Sequence, residues 1–411
     1  MRAQAPFHVM LKPIGAQCNL RCDYCFYLEK AALFPERRGA ALRMTEATLE
    51  SVVHQIIEAR APGQDEVVFA WQGGEPTLMG LPFFEKAIAL QSRYAPPGVR
   101  IANTFQTNGV LVDENFARFF REHGFLVGVS IDGPEALHDR FRRDAAGRGS
   151  FSRVMAGIEA MSRHGVEYNL MTSVQRHNAS HPEDVYDFLI GLGSPFIQFI
   201  PIVEPDPEHT VSERSLTGES WGEFLTRVFH RWRKYDVGRV FVQHFDMALG
   251  VHLGHPASLC VHAPQCGRGL ALEHNGDLFS CDHFVDADHR LGNLLHENLA
   301  QLADGHRQQE FGAEKSRFLP DACRQCPHLH LCHGGCPKDR LLPTASGRLN
   351  WLCSGYARFF EESRPYFLAM ISALNRGLPA AEFDRFLPAD PISVDHRSHG
   401  EDDATRRSSI G

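Results

Sequence analysis

An α/β fold is predicted for this 411-residue chain: a parallel sheet built from β/α units, followed by a smaller cysteine-rich unit. Three observations carry the prediction. Short β-rich runs alternate with longer helix-periodic stretches over the first 235 residues. From about 236 the pattern gives way to short elements dense in Gly, His and Cys, with too little apolar mass for a self-sufficient core. The eleven cysteines follow the same division, with three at 18–25, none at 26–259 and eight at 260–353.

Strands are expected at 8–14 (HVMLKPI), 66–72 (EVVFAWQ), 99–106 (VRIANTFQ), 125–131 (FLVGVSI), 167–174 (EYNLMTSV) and 196–202 (FIQFIPI). Helical periodicity falls between them at 45–60, 81–94, 113–123, 151–164 and 181–192, and a helix at 217–235 closes the unit. Each return to a parallel strand needs a crossover helix, so six such alternations imply a parallel sheet. The domain limits expected are 1–235, 236–378 for the cysteine-rich unit, and 379–411 for a polar tail expected to be disordered. Its last stretch, 388–411, lacks periodicity and is expected to be disordered.

Composition narrows the function. Apolar content of 43% and charged content of 22% are those of a soluble globular protein. A formal charge of −8, with no basic run interleaved with aromatics, argues against a nucleic-acid partner. The N-terminus lacks the apolar stretch of a signal peptide, and no run approaches the roughly 20 apolar residues that span a bilayer. A cytoplasmic location without a membrane partner is therefore expected.

In a reducing compartment clustered cysteines point to metal or catalysis before disulfides. Cys18-x3-Cys22-x2-Cys25 directly follows the first strand. Three thiolates bind three irons of a [4Fe–4S] cube and leave the fourth open to a small molecule, as catalytic metal sites keep one position free. A zinc site completed from elsewhere, or three ordinary thiols, are the alternatives. The remaining cysteines read Cys260-x5-Cys266-x14-Cys281 and Cys323-x2-Cys326-x5-Cys332-x3-Cys336-x16-Cys353, enough for two complete four-thiolate sets. On spacing alone, zinc fits these as well as iron–sulfur clusters do.

The CxxxCxxC loop, with Tyr24 before its last cysteine, resembles the signature of radical S-adenosylmethionine (radical SAM) enzymes. That resemblance implies a partial (β/α)6 barrel. It also implies a cluster whose open iron is chelated by the amino and carboxylate groups of SAM, and a 5′-deoxyadenosyl radical on reduction. "WQGGEP" (71–76), "QTNG" (106–109) and "SIDGP" (130–134) follow the second, third and fourth strands, where parallel β/α folds gather active-site groups. By the same resemblance, Gly73, Gly74 and Glu75 meet the SAM amino group and Ser130 the ribose. Tyr24, Arg142 and Ile202 are assigned by position as further cofactor contacts.

The run "CRQCPHLHLCHGGCP" with Cys353 resembles the SPASM extension of enzymes that act on peptides. It implies one auxiliary [4Fe–4S] cluster on Cys260, Cys266, Cys281 and Cys336, and another on Cys323, Cys326, Cys332 and Cys353. The last gap is one residue shorter than the usual spacing, which reads as a loop deletion. Three clusters then use all eleven cysteines. His328, His330 and His333 lie nearby, but the thiolates suffice.

"KPIGAQCNLRCDYCFYLEK", "RMTEATLE", "VGRVFVQHFDMALG" (237–250) and "LCVHAPQCGRGLALEHNGDLFSCDHFV" (259–285) are similar to anaerobic sulfatase-maturating enzymes, over roughly residues 8–375. The resemblance implies oxidation of a Ser or Cys side chain, within a Cys/Ser-x-Pro-x-Arg motif of a sulfatase, to Cα-formylglycine. It names Asp282 as proton acceptor and implies an electron donor such as flavodoxin or ferredoxin. A carboxylate with a reference pKa near 3.9 is a weak base for an alcohol, but once Cβ carries a radical its O–H is far more acidic. The alternative is another SPASM enzyme, one that forms thioether or carbon–carbon crosslinks in a small precursor. Such enzymes often begin with a leader-gripping domain, and here the first strand starts at about residue 8. A non-catalytic electron carrier is the rival from outside enzymology, and it has no use for an open iron.

Overall fold

The computed structural model describes residues 1–34 and 42–387. All six expected strands form: β1 (His8–Lys12), β2 (Glu66–Trp71), β3 (Arg100–Thr107), β4 (Leu126–Ser130), β5 (Glu167–Val174) and β6 (Phe196–Pro201). Each pairs in parallel with the next. They share one sheet with β7 (Phe241–Val242), β8 (Gly269–Glu273), β9 (Asp277–Phe279) and β10 (Arg290–Asn293), in the order β10-β9-β8-β1-β2-β3-β4-β5-β6-β7. β7 pairs in parallel with β6 and β8 with β1, while β9 runs antiparallel to both its neighbours. A short hairpin, β11 (Leu342–Thr344) with β12 (Gly347–Leu349), stands apart.

Counting only helices of nine residues or more, α1 (Glu46–Glu58), α2 (Leu81–Tyr94), α3 (Glu114–Glu122), α4 (Phe151–His164) and α5 (Pro182–Ile190) are the crossovers. Their starts carry the caps that satisfy orphan backbone N–H groups. Thr45 caps α1, Asp113 caps α3, and Thr217 forms a capping box with Ser220 on α6 (Gly218–Tyr235). The core lies between sheet and helices, where Leu11, Phe69, Trp71, Phe105, Val127, Leu170 and Phe199 are buried. Alternate residues point away from it toward the interior of the partial barrel.

Two expected limits shift. The sheet does not stop with the first unit, because β7 lies beyond residue 235 and β8–β10 extend the β1 edge. Leu270–Leu272 of β8 are buried and apolar, which suits a strand covered on both faces. Order also continues past 378. A 3₁₀ segment at Ala380–Phe386 buries Phe383 against Tyr366 of α9 (Cys353–Leu374), giving the polar tail an apolar anchor. The disorder expected for 388–411 falls outside the described residues.

The remaining helices are α7 (Gln243–His252) and α8 (His306–Arg317). α6 and α9 cross at backbone contact. A Cβ on Gly355 would lie 2.2 Å from the carbonyl oxygen of Gly218, and one on Gly222 would lie 2.8 Å from Cα of Gly355. That crossing fixes the first turn of α9, whose first residue is Cys353. Among the described residues, no helix is long and apolar enough to cross a membrane.

Candidate active site

Parallel strands bring their C-terminal ends to one side, and the motifs collect there. The cysteine loop follows β1, Gly73–Glu75 follow β2, Asn108 follows β3, Ser130 ends β4, and Ile202 follows β6. The glycines of the second motif serve close approach. Gly74 N–H donates to the Gly15 carbonyl (2.7 Å) and Glu75 N–H to that of Gln17 (2.8 Å). A Cβ on Gly74 would stand 1.8 Å from the Gln17 carbonyl oxygen. The second motif is therefore laced to the backbone that carries Cys18. Gly74→Ala is expected to cost at least about 1–3 kcal/mol locally and to prevent assembly of the N-terminal cluster. Iron content and SAM cleavage in the purified variant check this; wild-type values for both would refute it.

The side chain of Glu75 has a different job from its glycines. It is fully buried and accepts from Thr77 N (3.0 Å), Thr77 Oγ1 (2.7 Å), Thr107 Oγ1 (2.8 Å) and Asn108 N (2.7 Å). Burial raises its pKa, with these bonds opposing. It ties the end of β2 to the end of β3. Asn108 in turn donates to Cys18 Sγ (3.5 Å) and Asn19 Oδ1 (2.7 Å).

Tyr24 and Arg142 form one buried network centred on Asp132. Arg142 Nε lies 2.9 Å from Asp132 Oδ2, to which the Tyr24 hydroxyl also donates. Arg142 Nη2 reaches Ser173 Oγ at 3.2 Å, and Asp132 Oδ1 accepts from Ser173 N at 3.0 Å. Arg142 is thus locked beneath the cysteine loop, where its charge lowers the Cys22 thiol, which burial nonetheless holds up at about 11. Ser130 Oγ accepts from Gln106 Nε2 (3.2 Å). Ile202 is half-buried, with its N–H bonded to the Val174 carbonyl (2.8 Å).

All eleven cysteines are free thiols, and they fall into three neighbourhoods. Cys18 is pushed up to about 12, by burial first, then by Glu75, Cys22 and Cys25. Burial raises Cys281, and Cys336 and Cys260 raise it further. Cys336 is held at about 12 by burial, with Cys266 adding, and Cys266 is raised by burial and by Cys260. Burial lifts Cys332 to about 12, with Cys353, Cys323 and Cys326 adding. Each grouping coincides with one of the cysteine sets read from the sequence. Thiols so placed must surrender protons to bind metal, and the thiolates then repel one another until a cation neutralises them. Backbone N–H groups already face the sulfurs, as Leu20 N does Cys18 Sγ at 3.3 Å. Among the described residues no three His, Cys, Asp or Glu side chains converge as ligands of a single ion would. The residues present fit iron–sulfur cubes, whose thiolates each bind a different iron.

Asp282 sits beside Cys281 and reaches across to the end of β1. Its Oδ1 lies 2.5 Å from Nζ of Lys12, which is 2% exposed. Lys12 also donates to Gln72 Oε1 (3.2 Å) and lies 4.3 Å above the Tyr27 ring. The Tyr27 hydroxyl donates to buried Glu273 of β8. Burial opposes ionisation of Asp282, but Lys12 and then His283 outweigh it and leave its pKa lowered. A carboxylate and its counter-ion thus stand at the mouth of the barrel, next to Cys281. Sequence reasoning named Asp282 but missed Lys12, Gln72, Asn108, Asp132 and Glu273. A lysine ending the apolar run HVMLK was the available signal, since buried lysines require partners.

Cysteine ligand loops at the mouth of a parallel partial barrel, with a cysteine-rich domain docked on the same sheet, define a radical SAM enzyme with a SPASM domain. Residues 13–189 match the Radical SAM superfamily and residues 260–327 match SPASM, the iron–sulfur cluster-binding domain. A serine-type anaerobic sulfatase-maturating enzyme of Bacteroides thetaiotaomicron is 41% identical over 91% of this chain and 94% of its own length. A cysteine-type enzyme of Clostridium perfringens is 33% identical over 88% and 97%. The solved structure of native anSMEcpe with bound AdoMet and Cp18Cys peptide superposes with a TM-score of 0.81 at 32% identity, covering 90% of this chain and 99% of that one. The chain belongs to the anaerobic sulfatase-maturating enzymes.

Proposed function

We propose that this protein oxidises the Ser or Cys of a Cys/Ser-x-Pro-x-Arg motif in a sulfatase polypeptide to Cα-formylglycine. The observation that carries the reading is the Lys12–Asp282 pair beside Cys281, at the same barrel mouth as Cys18, Cys22 and Cys25. Cys18, Cys22 and Cys25 would hold the SAM-binding cluster, and the two four-cysteine sets the auxiliary clusters. The backbone of Gly73 and Gly74, together with Ser130 and Ile202, would contact SAM. Tyr24 and Arg142 would support the loop from beneath. When bound, these groups supply a radical that removes a hydrogen atom from Cβ of the target and an acceptor for the electron that follows.

The protein's own part is to position and to deprotonate. Glu75 and Asn108 hold the cysteine loop against β2 and β3. Asp282, kept ionised by Lys12, takes the proton from the hydroxyl or thiol of the target. An electron donor such as flavodoxin or ferredoxin is the expected redox partner, and the reducing cytoplasm is the setting in which eleven free thiols persist. Anaerobic incubation with SAM, a reductant and a peptide bearing the motif tests the reading by mass spectrometry. Loss of two hydrogens is expected for Ser, and for Cys also exchange of sulfur for oxygen. A crosslinked or unchanged peptide would sink it.

A further inference from the structure

Two cations inside the cysteine-rich unit have no use in the chemistry above. Lys315 on α8 is 1% exposed and Arg340 is 8% exposed. Neither forms an ion pair with a carboxylate among the described residues. A buried charge without a counter-charge is strongly destabilising, so each must face negative charge of another kind.

What surrounds them supplies it. Lys315 Nζ donates to the carbonyls of Cys260 (2.7 Å) and Val261 (3.0 Å), at one ligand loop of the first auxiliary set. Arg340 donates to the carbonyls of Gly334 (Nε, 3.2 Å) and His333 (Nη2, 3.3 Å). Those two residues lie within the five-residue bridge from Cys332, in the second set, to Cys336, in the first. The bridge is tightly built. His333, Gly334 and Gly335 have φ of +46°, +74° and +64°, and a Cβ on Gly334 would lie 2.9 Å from Arg340 Nη2. Arg340 therefore clamps the covalent link between the two ligand sets.

We infer that Lys315 and Arg340 are the counter-charges of the auxiliary clusters, Lys315 serving the first alone and Arg340 serving both, and that they raise the potentials at which those clusters accept an electron. A four-thiolate cluster is anionic and gains one further negative charge on reduction, so a fixed neighbouring cation favours the reduced form. Burial lowers the pKa of both side chains. Against it, Lys315 is raised by Cys266, Cys336 and Cys260, while Arg340 is raised by Cys323 and Cys332 of one set and Cys266 and Cys336 of the other. The arrangement suits the reaction: forming the aldehyde takes from the substrate one hydrogen atom, one proton and one electron, and that electron needs an acceptor that is easily reduced.

This inference rests on the assignment of the eight cysteines to two clusters, and the test separates the two claims. Potentiometric titration followed by electron paramagnetic resonance is made on the full chain carrying Cys18→Ala, Cys22→Ala and Cys25→Ala, which leaves only auxiliary signals. Lys315→Met should move one midpoint potential to more negative values and leave the other in place. Arg340→Gln should move both, and Arg340→Lys should restore most of the shift. Unchanged potentials at full iron content would overturn the inference, as would equal shifts of both clusters in Lys315→Met. Loss of auxiliary iron from Arg340→Lys as well as Arg340→Gln would reduce Arg340 to a structural clamp and also overturn it. Absence of any auxiliary signal in the parent would instead overturn the cluster assignment, and the inference with it.

Discussion

Replacing Cys18, Cys22 and Cys25 together by alanine abolishes cleavage of SAM and lowers iron from about twelve to about eight atoms per chain. The prediction follows from how the three thiols are held. They stand on a loop bonded to the Gly73–Glu75 segment and to Asn108, and separate from the eight cysteines of the second unit. Removing the sulfurs takes away one cluster's ligands; Cys25 packs on the small cluster of Tyr27, Ala271, Phe279 and Val285, where alanine keeps the β-carbon, so the fold and the other two clusters should survive. Circular dichroism, iron analysis and 5′-deoxyadenosine measured on one preparation check all three points. A chain that still cleaves SAM would refute the role of the loop. One that loses all its iron would show that the clusters do not assemble independently.

Much of this was legible in the sequence because of period and spacing. Every strand of the first unit was visible as a short β-branched or aromatic run, since both faces of a parallel sheet are covered. The ligand sets were visible because thiolates have few uses in a reducing compartment. What stayed hidden was carried by long-range partners of ordinary residues. Asp132 stood in the SIDGP motif with no role of its own, yet it unites Tyr24, Arg142 and Ser173, the last of them forty-odd residues away in sequence. Glu75 looked like a ligand contact, and its carboxylate also joins the end of β2 to Thr107 and Asn108 at the end of β3. The extension of the sheet through β8 was hidden for another reason. GLALE is five residues long and pairs with a strand some 260 positions earlier, a contact no local pattern encodes.

Lys12 shows why the hidden part bears on the chemistry. It is the last residue of β1, and the turn after it leads directly into the cysteine loop. Its side chain turns inward to Asp282, which the sheet extension brings alongside through β8 and β9. The barrel thus supplies the cation, and the cysteine-rich unit supplies the carboxylate and the neighbouring Cys281. Neither half contains the whole device.

Asp282→Asn should lower aldehyde formation by about 10²–10⁴-fold, the range general-base removal usually costs, while leaving SAM cleavage intact. Asparagine keeps the volume and cannot accept the proton, so the variant isolates the proton step. Lys12 retains Gln72 and the Tyr27 ring but loses its counter-charge, so iron content and SAM cleavage of the variant are the check that the barrel mouth keeps its shape. A peptide deuterated at Cβ of the target should still pass deuterium to 5′-deoxyadenosine, which would show that hydrogen abstraction precedes the blocked step. The pH profile gives an independent check. Because the Asp282 carboxyl is held low, it remains a base across neutral pH and is lost only as pH falls through that depressed value. The wild-type rate should therefore show no acid limb from this group at or above the ordinary aspartate range near 3.9. Lys12→Met removes the leading opponent of burial, so its acid limb should move upward in pH. Wild-type aldehyde yield from Asp282→Asn would end the assignment, and an unmoved limb in Lys12→Met would end the pairing as its cause.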